Sequence, residues 1–408
     1  TFLNVNSRLM MNGTGNIYNL TLNHASCFIM LHSDGTTTIE GNLTITAGQL
    51  TTYMEGTTTS KDLTVTGNTR IGPASGGADQ ATLTCNASAV SLGSGLTTDY
   101  GLTVVKGGTF VGGTGTHTMG SVFIDAFADA KCTLTNGVTT LDGEDSGGYT
   151  WRNNGGTFAH NDGTVTTNSS VDTKIRENTF YNLIINQSSS GKFVYWEDTS
   201  GNTCTVANDL TITMGRLRGL VASDTVTVTG DVSVAADGTF NYSSVWTGAV
   251  NHGSLTIASG GTYSATSGTT EITSAASNYA VTNNGTLTHN DGTFQITGGS
   301  NQWLRGTGSG AYYNLISNNG SSVGLGIAGN LSVDNDLTIN ASKNIGYTGP
   351  TYTVTVVGAL TQNGSVYTAT LPTGAHSFGS ITIGAGGTWQ ATSGVTSVLD
   401  GNFNNSGT

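Results

Sequence analysis

Charge is what this chain has least of. Lys, Arg, Asp and Glu make up 9% of its 408 residues, against roughly 25% in an ordinary soluble domain. With 36% hydrophobic residues, that scarcity excludes intrinsic disorder, which depends on charge-rich, apolar-poor composition. The 13 basic residues form no cluster and face 25 acidic ones, a net charge of −12. Nucleic acid is excluded as a partner, because its recognition needs a positive footprint. No apolar run approaches the ~18 residues of a membrane helix. Neither is there an amphipathic stretch long enough to make a helix of any use. Proline is nearly absent, at 3 residues, and the chain opens on Thr1 with no initiator Met and no signal peptide. It reads as a mature or internal segment.

What is abundant is glycine, at 60 residues, together with Thr, Ser and Asn. These residues suit exposed strand faces and turns and make poor helices. Short runs with apolar residues at alternate positions, such as Leu255-Thr256-Ile257, are separated by Gly, Asn, Asp and Ser. Alternation at period two marks a strand with one buried face, and the intervening clusters supply turns. Short strands and tight turns recurring at a fixed interval predict a solenoid.

The recurrence is explicit. Tyr-Asn-Leu occurs at Tyr18, Tyr181 and Tyr313; GNLTIT, NDLTIT and NDLTIN begin at Gly41, Asn208 and Asn335. Gly-Ser followed by an alternating strand begins at Gly120, Gly253 and Gly379, each shortly after a histidine: His117, His252 and His376. His-Asn-Asp-Gly-Thr occurs at His160 and His289. Long repeats of 1–163, 164–292 and 293–408 follow, the last one incomplete, within one continuous solenoid over 1–408. A finer period is read from strand starts at Leu43, Leu63, Leu83, Leu102 and Val122, evenly spaced by about 20 residues, and at Leu337, Leu360, Ile381 and Phe403, spaced slightly wider, both in the range of a solenoid coil. The predicted fold is all-β: a single-stranded right-handed parallel β-helix (β-solenoid) of about 20–23 residues per coil and roughly 18–20 coils. The right-handed form is expected because the six-residue aliphatic repeat of left-handed helices is missing. Both ends fall at nearly one phase of the repeat, so the expectation is a window of a longer protein or a unit that stacks end to end.

Chemistry-bearing residues are sparse. Cys27, Cys85, Cys132 and Cys204 lie far apart in strand-like runs with no Cys-x-x-Cys, which predicts buried thiols, disulfides between neighbouring coils being the alternative. His160 and His289 sit in Asn-Asp-Gly turn signals and make no metal set; no metal or cofactor is expected. The Gly-rich runs lack the residues of a phosphate loop or a calcium nonapeptide. Glu144-Asp145 and Glu197-Asp198 are the acidic pairs. Trp196-Glu197-Asp198 sets an aromatic beside acids and is the better candidate for sugar chemistry, but adjacent strand residues point to opposite faces, so Glu197 and Asp198 do not by themselves make the facing carboxylates that glycoside hydrolysis uses. Trp151, Trp196, Trp246, Trp303 and Trp389 are candidate glycan contacts, against a packing role for the same rings. Alternating threonines such as those of LTIT at Leu43 place hydroxyls outward, as in ice-binding solenoids or as plain strand formers.

The FYNLIIN run at Phe180, the NDLTIT runs and TVTVTGDVSV at Thr225 resemble right-handed β-solenoid repeats of bacterial secreted adhesins and autotransporter passengers, and of bacteriophage fibre proteins. The resemblance covers nearly the whole chain at fold level. It implies a non-enzymatic rod, fibre or adhesin stalk on an extracellular, cell-surface or virion surface. The implied partners are further copies, end to end or laterally, neighbouring structural proteins, or a cell-surface glycan. A carbohydrate-binding or depolymerising tailspike-like helix, and an ice-binding array, are the alternative expectations.

Overall fold

Parallel pairing of short strands, one turn of chain on the next, is the only regular architecture among the described residues of this protein. The computed structural model describes residues 7–11, 16–33, 35–53, 60–73, 80–177, 179–197, 203–219, 221–241, 247–273, 279–299, 302–318, 324–340, 345–349, 351–364, 373–399 and 401–407. It is a right-handed parallel β-solenoid of about 14 turns with about 23 residues per turn, divided into two compact units, Thr1–Glu197 and Asp198–Thr408.

Unit 1 winds three ladders. Ladder A stacks Leu20, Leu43, Thr69, Leu102, Val122, Trp151, Ile175 and Trp196. Ladder B stacks Ile29, Leu50, Leu83, Phe110, Cys132 and Phe158. Ladder C stacks Ile39, Val65, Leu92, Met119, Leu141, Thr167 and Ile185. Strands alternate buried and half-buried residues, as in Leu43–Thr51 and Val122–Ile124. Each aliphatic side chain therefore sits on its counterpart one turn away, about 4.8 Å along the axis. Each fully buried one contributes roughly 1.5–3 kcal/mol.

Unit 2 repeats the design. Ladder D runs through Leu210, Val232, Leu255, Val281, Leu304, Ile327 and Tyr347. Ladder E holds Leu217, Phe240, Tyr263 and Leu287. Ladder F carries Cys204, Val226, Val250, Thr270, Phe294, Leu315, Leu337, Leu360, Ile381 and Phe403. A further ladder, G, stacks Tyr312, Val333, Val356, Phe378 and Val398.

Two expectations change. The coil length of about 23 residues is within the expected range, but the coils are fewer than expected, and the strand starts of the first repeat do not mark one face. Leu43, Leu63 and Leu83 are not successive turns. Leu43 pairs with Thr69, Leu63 with Val90 and Leu83 with Phe110, so their even spacing links strands on three different faces. True turns in ladder A are uneven, shortest from Leu102 to Val122 and longest from Thr69 to Leu102. Loops absorb the difference, since each turn needs only its strands in register.

The long repeat is also not a whole number of turns. The equivalent strands SLTI at Leu255 and SITI at Ile381, one long repeat apart, lie in ladders D and F. Corresponding residues therefore face different directions about the axis of unit 2.

The four thiols are buried and none is in a disulfide. Burial raises the Cys27 thiol, and more strongly those of Cys85 and Cys132, above the usual range.

Candidate functional site

The tryptophans part company inside the fold. Trp151 and Trp196 are in the core of unit 1, where Trp151 packs edge-on to Phe158 and Phe180 and Trp196 to Phe180. Their indole N–H groups donate to Glu177, Trp151 to Oε2 at 3.4 Å and Trp196 to the backbone oxygen at 2.8 Å. Neither is a surface platform, so neither ring is placed to stack on a sugar. Inward positions of ladder A hold the rings, and only a partner for each N–H makes that burial tolerable. Trp389 is half-buried and packs edge-on to Phe378 at 5.6 Å. Trp246 and Asp198 lie outside the described residues. Trp303 alone of the described four stands on an outward strand position away from such packing.

The histidines form two sets. His117, His252 and His376 are buried, each edge-on to a phenylalanine: Phe110 at 5.9 Å, Phe240 at 5.9 Å and Phe378 at 6.2 Å. His252 Nε2 meets the Tyr263 hydroxyl at 2.7 Å. Desolvation lowers their affinity for protons, to about 4 for His117 and about 3 for His252, with His376 shifted the same way. These are core residues in their neutral form.

His160 and His289 are turn residues, as their sequence predicts. Asn161-Asp162 and Asn290-Asp291 both have positive φ, and Gly163 N and Gly292 N donate back to the histidine oxygens at 3.0 Å. That is a type I′ turn, for which Asn, Asp and Gly are the tolerant residues. The imidazoles lie against Tyr181 at 5.4 Å and Tyr313 at 5.3 Å. The repeat-equivalent Tyr18 is exposed. Among the described residues no group of three or more His, Cys, Asp and Glu comes together to hold a metal. No helix among them is long and apolar enough to cross a membrane.

A surface constellation that the sequence conceals sits on the outer faces of ladders A and D. In unit 1, Tyr149 pairs with Lys174 and Arg152 with Arg176, with a bulge at the intervening step. In unit 2, Tyr279 pairs with Trp303 and Thr282 with Arg305, with a bulge at the same step. In both copies an arginine of the later turn reaches back over the tyrosine ring: Arg176 over Tyr149 at 5.0 Å, Arg305 over Tyr279 at 3.5 Å. The bulge re-aims the tyrosine while leaving the flanking pairs in register.

The surroundings then diverge. Tyr149 is buried under Arg152, Lys174 and Arg176, all within 5.1 Å of its ring centre. Its hydroxyl accepts from Arg176 at 2.8 Å, and Arg176 pairs with Glu197 at 3.3 Å. Asp145 accepts from the Gly147 and Tyr149 amides at 2.8 Å and lies 4.0 Å from Arg152. Burial and a hydrogen bond to Asp145 push the nearby Tyr100 hydroxyl up to about 12.

In unit 2 the position of Glu197 is Ala328, which pairs with Arg305. Arg305 is exposed, its Nε donates to Thr282 Oγ1 at 3.0 Å, and its terminal nitrogens make no hydrogen bond or ion pair among the described residues. Trp303 replaces Lys174 and lies on Gly326, where a Cβ would run into the ring. Beside Arg305 opens a groove of about 590 Å³, walled by Thr307, Asn330, Thr351 and Tyr352 on a floor of glycine and alanine.

Sequence reasoning missed this pair of sites because its members come from successive turns and are brought together only by the winding. The one available signal was the repeated position itself, Arg176 against Arg305, one long repeat on. The chain matches no family model, and no curated protein or solved structure matches it.

Proposed function

We propose that this chain is a non-enzymatic structural element of an extracellular, cell-surface or virion surface, a stalk or fibre segment that displays or contacts something else. The observation that supports this reading best is the repetition of one strand register on another through both units, with a surface of threonine, serine and asparagine rather than charge. In such a stack each turn supports its neighbours, and further turns add length without changing the design. Adhesin-like and phage-fibre-like settings both use that property. Immunogold electron microscopy with antibody against the purified chain is the test. Label on appendages of the cell or virion is expected; cytosolic label, or release of reducing ends when the chain is incubated with polysaccharides, contradicts the reading.

One observation favours a second reading. Along ladder C the outward residues of six consecutive turns are Thr38, Thr64, Ser91, Thr118, Thr140 and Thr166, a hydroxyl column unbroken until Ile184. Such a column suits ordered water at an ice surface. Thermal hysteresis of the purified chain, abolished by Thr118→Lys, is expected under this reading, and its absence removes it.

A further inference from the structure

We propose that unit 2 carries a saccharide-binding groove beside Arg305, and that the sugar it takes bears a carboxylate. The groove has the chemistry of a sugar site: hydroxyl and amide side chains from Thr307, Thr351 and Asn330 on its walls, with the Tyr352 ring among them. Trp303, two residues before Arg305 on the same outward strand face, offers a second aromatic surface next to Arg305, outside the groove's own lining. Pyranose rings present C–H faces to such aromatics and hydroxyls to such polar groups, and Trp and Tyr suit surfaces that are apolar on one side and wet on the other.

The acidic character comes from Arg305. Its guanidinium is a planar fork matched to a carboxylate, held in place by the Tyr279 ring at 3.5 Å and by its Nε bond to Thr282. It is the one charged side chain lining the groove among the described residues, in a chain of net charge −12. The comparison within the molecule is the second observation. Arg176, its counterpart, is already paired with Glu197, whereas at Arg305 that carboxylate is replaced by Ala328. The ligand's own carboxylate takes the place that Glu197 fills in unit 1. Gly326 keeps the Trp303 ring flat on the sheet, so the aromatic surface is set before the sugar arrives. The proposal does not depend on the stalk reading, since a stalk can carry or lack such a site and its location is tested separately.

Calorimetric titration of the purified chain with tri-galacturonate, with sialyllactose and with maltotriose tests it. At least one of the two acidic sugars is expected to bind, which also tells hexuronate from sialate, and maltotriose at least tenfold more weakly. Ala328→Glu, which installs the unit 1 ion pair without touching Arg305, is expected to weaken binding at least tenfold, as is Arg305→Gln. Trp303→Ala should weaken it several-fold, and Arg176→Gln should leave it unchanged. Far-UV circular dichroism and the unfolding midpoint check that each variant is folded. Equal affinity for maltotriose, no binding of either acidic sugar at millimolar concentration, or full affinity in folded Ala328→Glu or Arg305→Gln overturns the proposal.

Discussion

Tyr149 with Arg176 and Tyr279 with Arg305 are the same device in two surroundings. In each, a bulge turns a tyrosine toward an arginine of the next turn. Unit 1 then closes the device: three cations converge on a buried ring, with Glu197 pairing Arg176, Asp145 near Arg152, and the Gly147 oxygen accepting from Lys174. Unit 2 leaves it open, with a tryptophan in place of the lysine and an alanine in place of the glutamate. The lesson is that a stacked fold conserves backbone register and lets the outward residues change with little effect on the stack. Chemistry is therefore written on the outer face, and is found where two copies differ.

The comparison is sharpened most by the tryptophans. Trp151→Ala removes a fully buried ring and is expected to cost about 3–5 kcal/mol in denaturant unfolding, whereas Trp303→Ala on the outer face is expected to stay within about 0.5 kcal/mol. Equal costs would mean that the inner and outer faces have been misassigned.

Acid is the next probe. The buried histidines bind protons less readily folded than unfolded, where their affinity is near 6.5. Their contribution is full above pH 6.5 and falls as pH drops toward the folded values, about 4 for His117 and about 3 for His252. Each tenfold difference in proton affinity is worth roughly 1.4 kcal/mol. Unit 2 holds two such residues, His252 and His376, against His117 in unit 1. The unfolding midpoint should fall between pH 6.5 and 4, and His252→Phe should flatten that fall more than His160→Phe does. An unchanged slope in His252→Phe would place the acid sensitivity elsewhere.

The two type I′ turns should respond alike. Asn161→Ala and Asn290→Ala each force an L side chain into the left-handed region without the polar group that tolerates it, at about 1–2 kcal/mol, read as equal shifts of the denaturant midpoint. A cost at one turn alone would break their equivalence. Smallest of all is the surface ion pair: Arg176→Gln should cost no more than about 1 kcal/mol, with a loss that shrinks in high salt. A larger, salt-insensitive loss would show that packing of the arginine on Tyr149 outweighs the pair.

Much of the fold was legible because its physics is local. Alternation in Leu255–Ile257, the Asn-Asp-Gly turns and the repeated Tyr-Asn-Leu all state strand, turn and repeat within a short stretch of chain. The length of a turn was legible in the third repeat, where Leu337, Leu360, Ile381 and Phe403 are successive turns of ladder F, and not in the first. Leu43, Leu63 and Leu83 look like successive copies because every face uses the same Leu-Thr-aliphatic pattern, and only pairing across turns tells the faces apart. The same limit hid the arginine sites, whose members are close only after winding. Trp151 and Trp303 could not be told apart by type; what separates them is strand phase, inward at Trp151 and outward at Trp303.

The register of ladder C against that of the shorter coil suggested by the strand starts is the most direct test of the account. Paired strands lie about 4.8 Å apart, which puts cysteines on them within disulfide reach, a Cα separation of roughly 4.4–6.8 Å. The four native thiols are buried, with the proton affinities of Cys27, Cys85 and Cys132 raised. In the double variant Thr64→Cys with Ser91→Cys, paired across ladder C, oxidation should join the two residues quantitatively. In Thr44→Cys with Thr64→Cys, which share one position of the Leu-Thr-aliphatic pattern but lie on ladders A and C, it should not. Cross-linking of the second pair and not the first would contradict the winding described here.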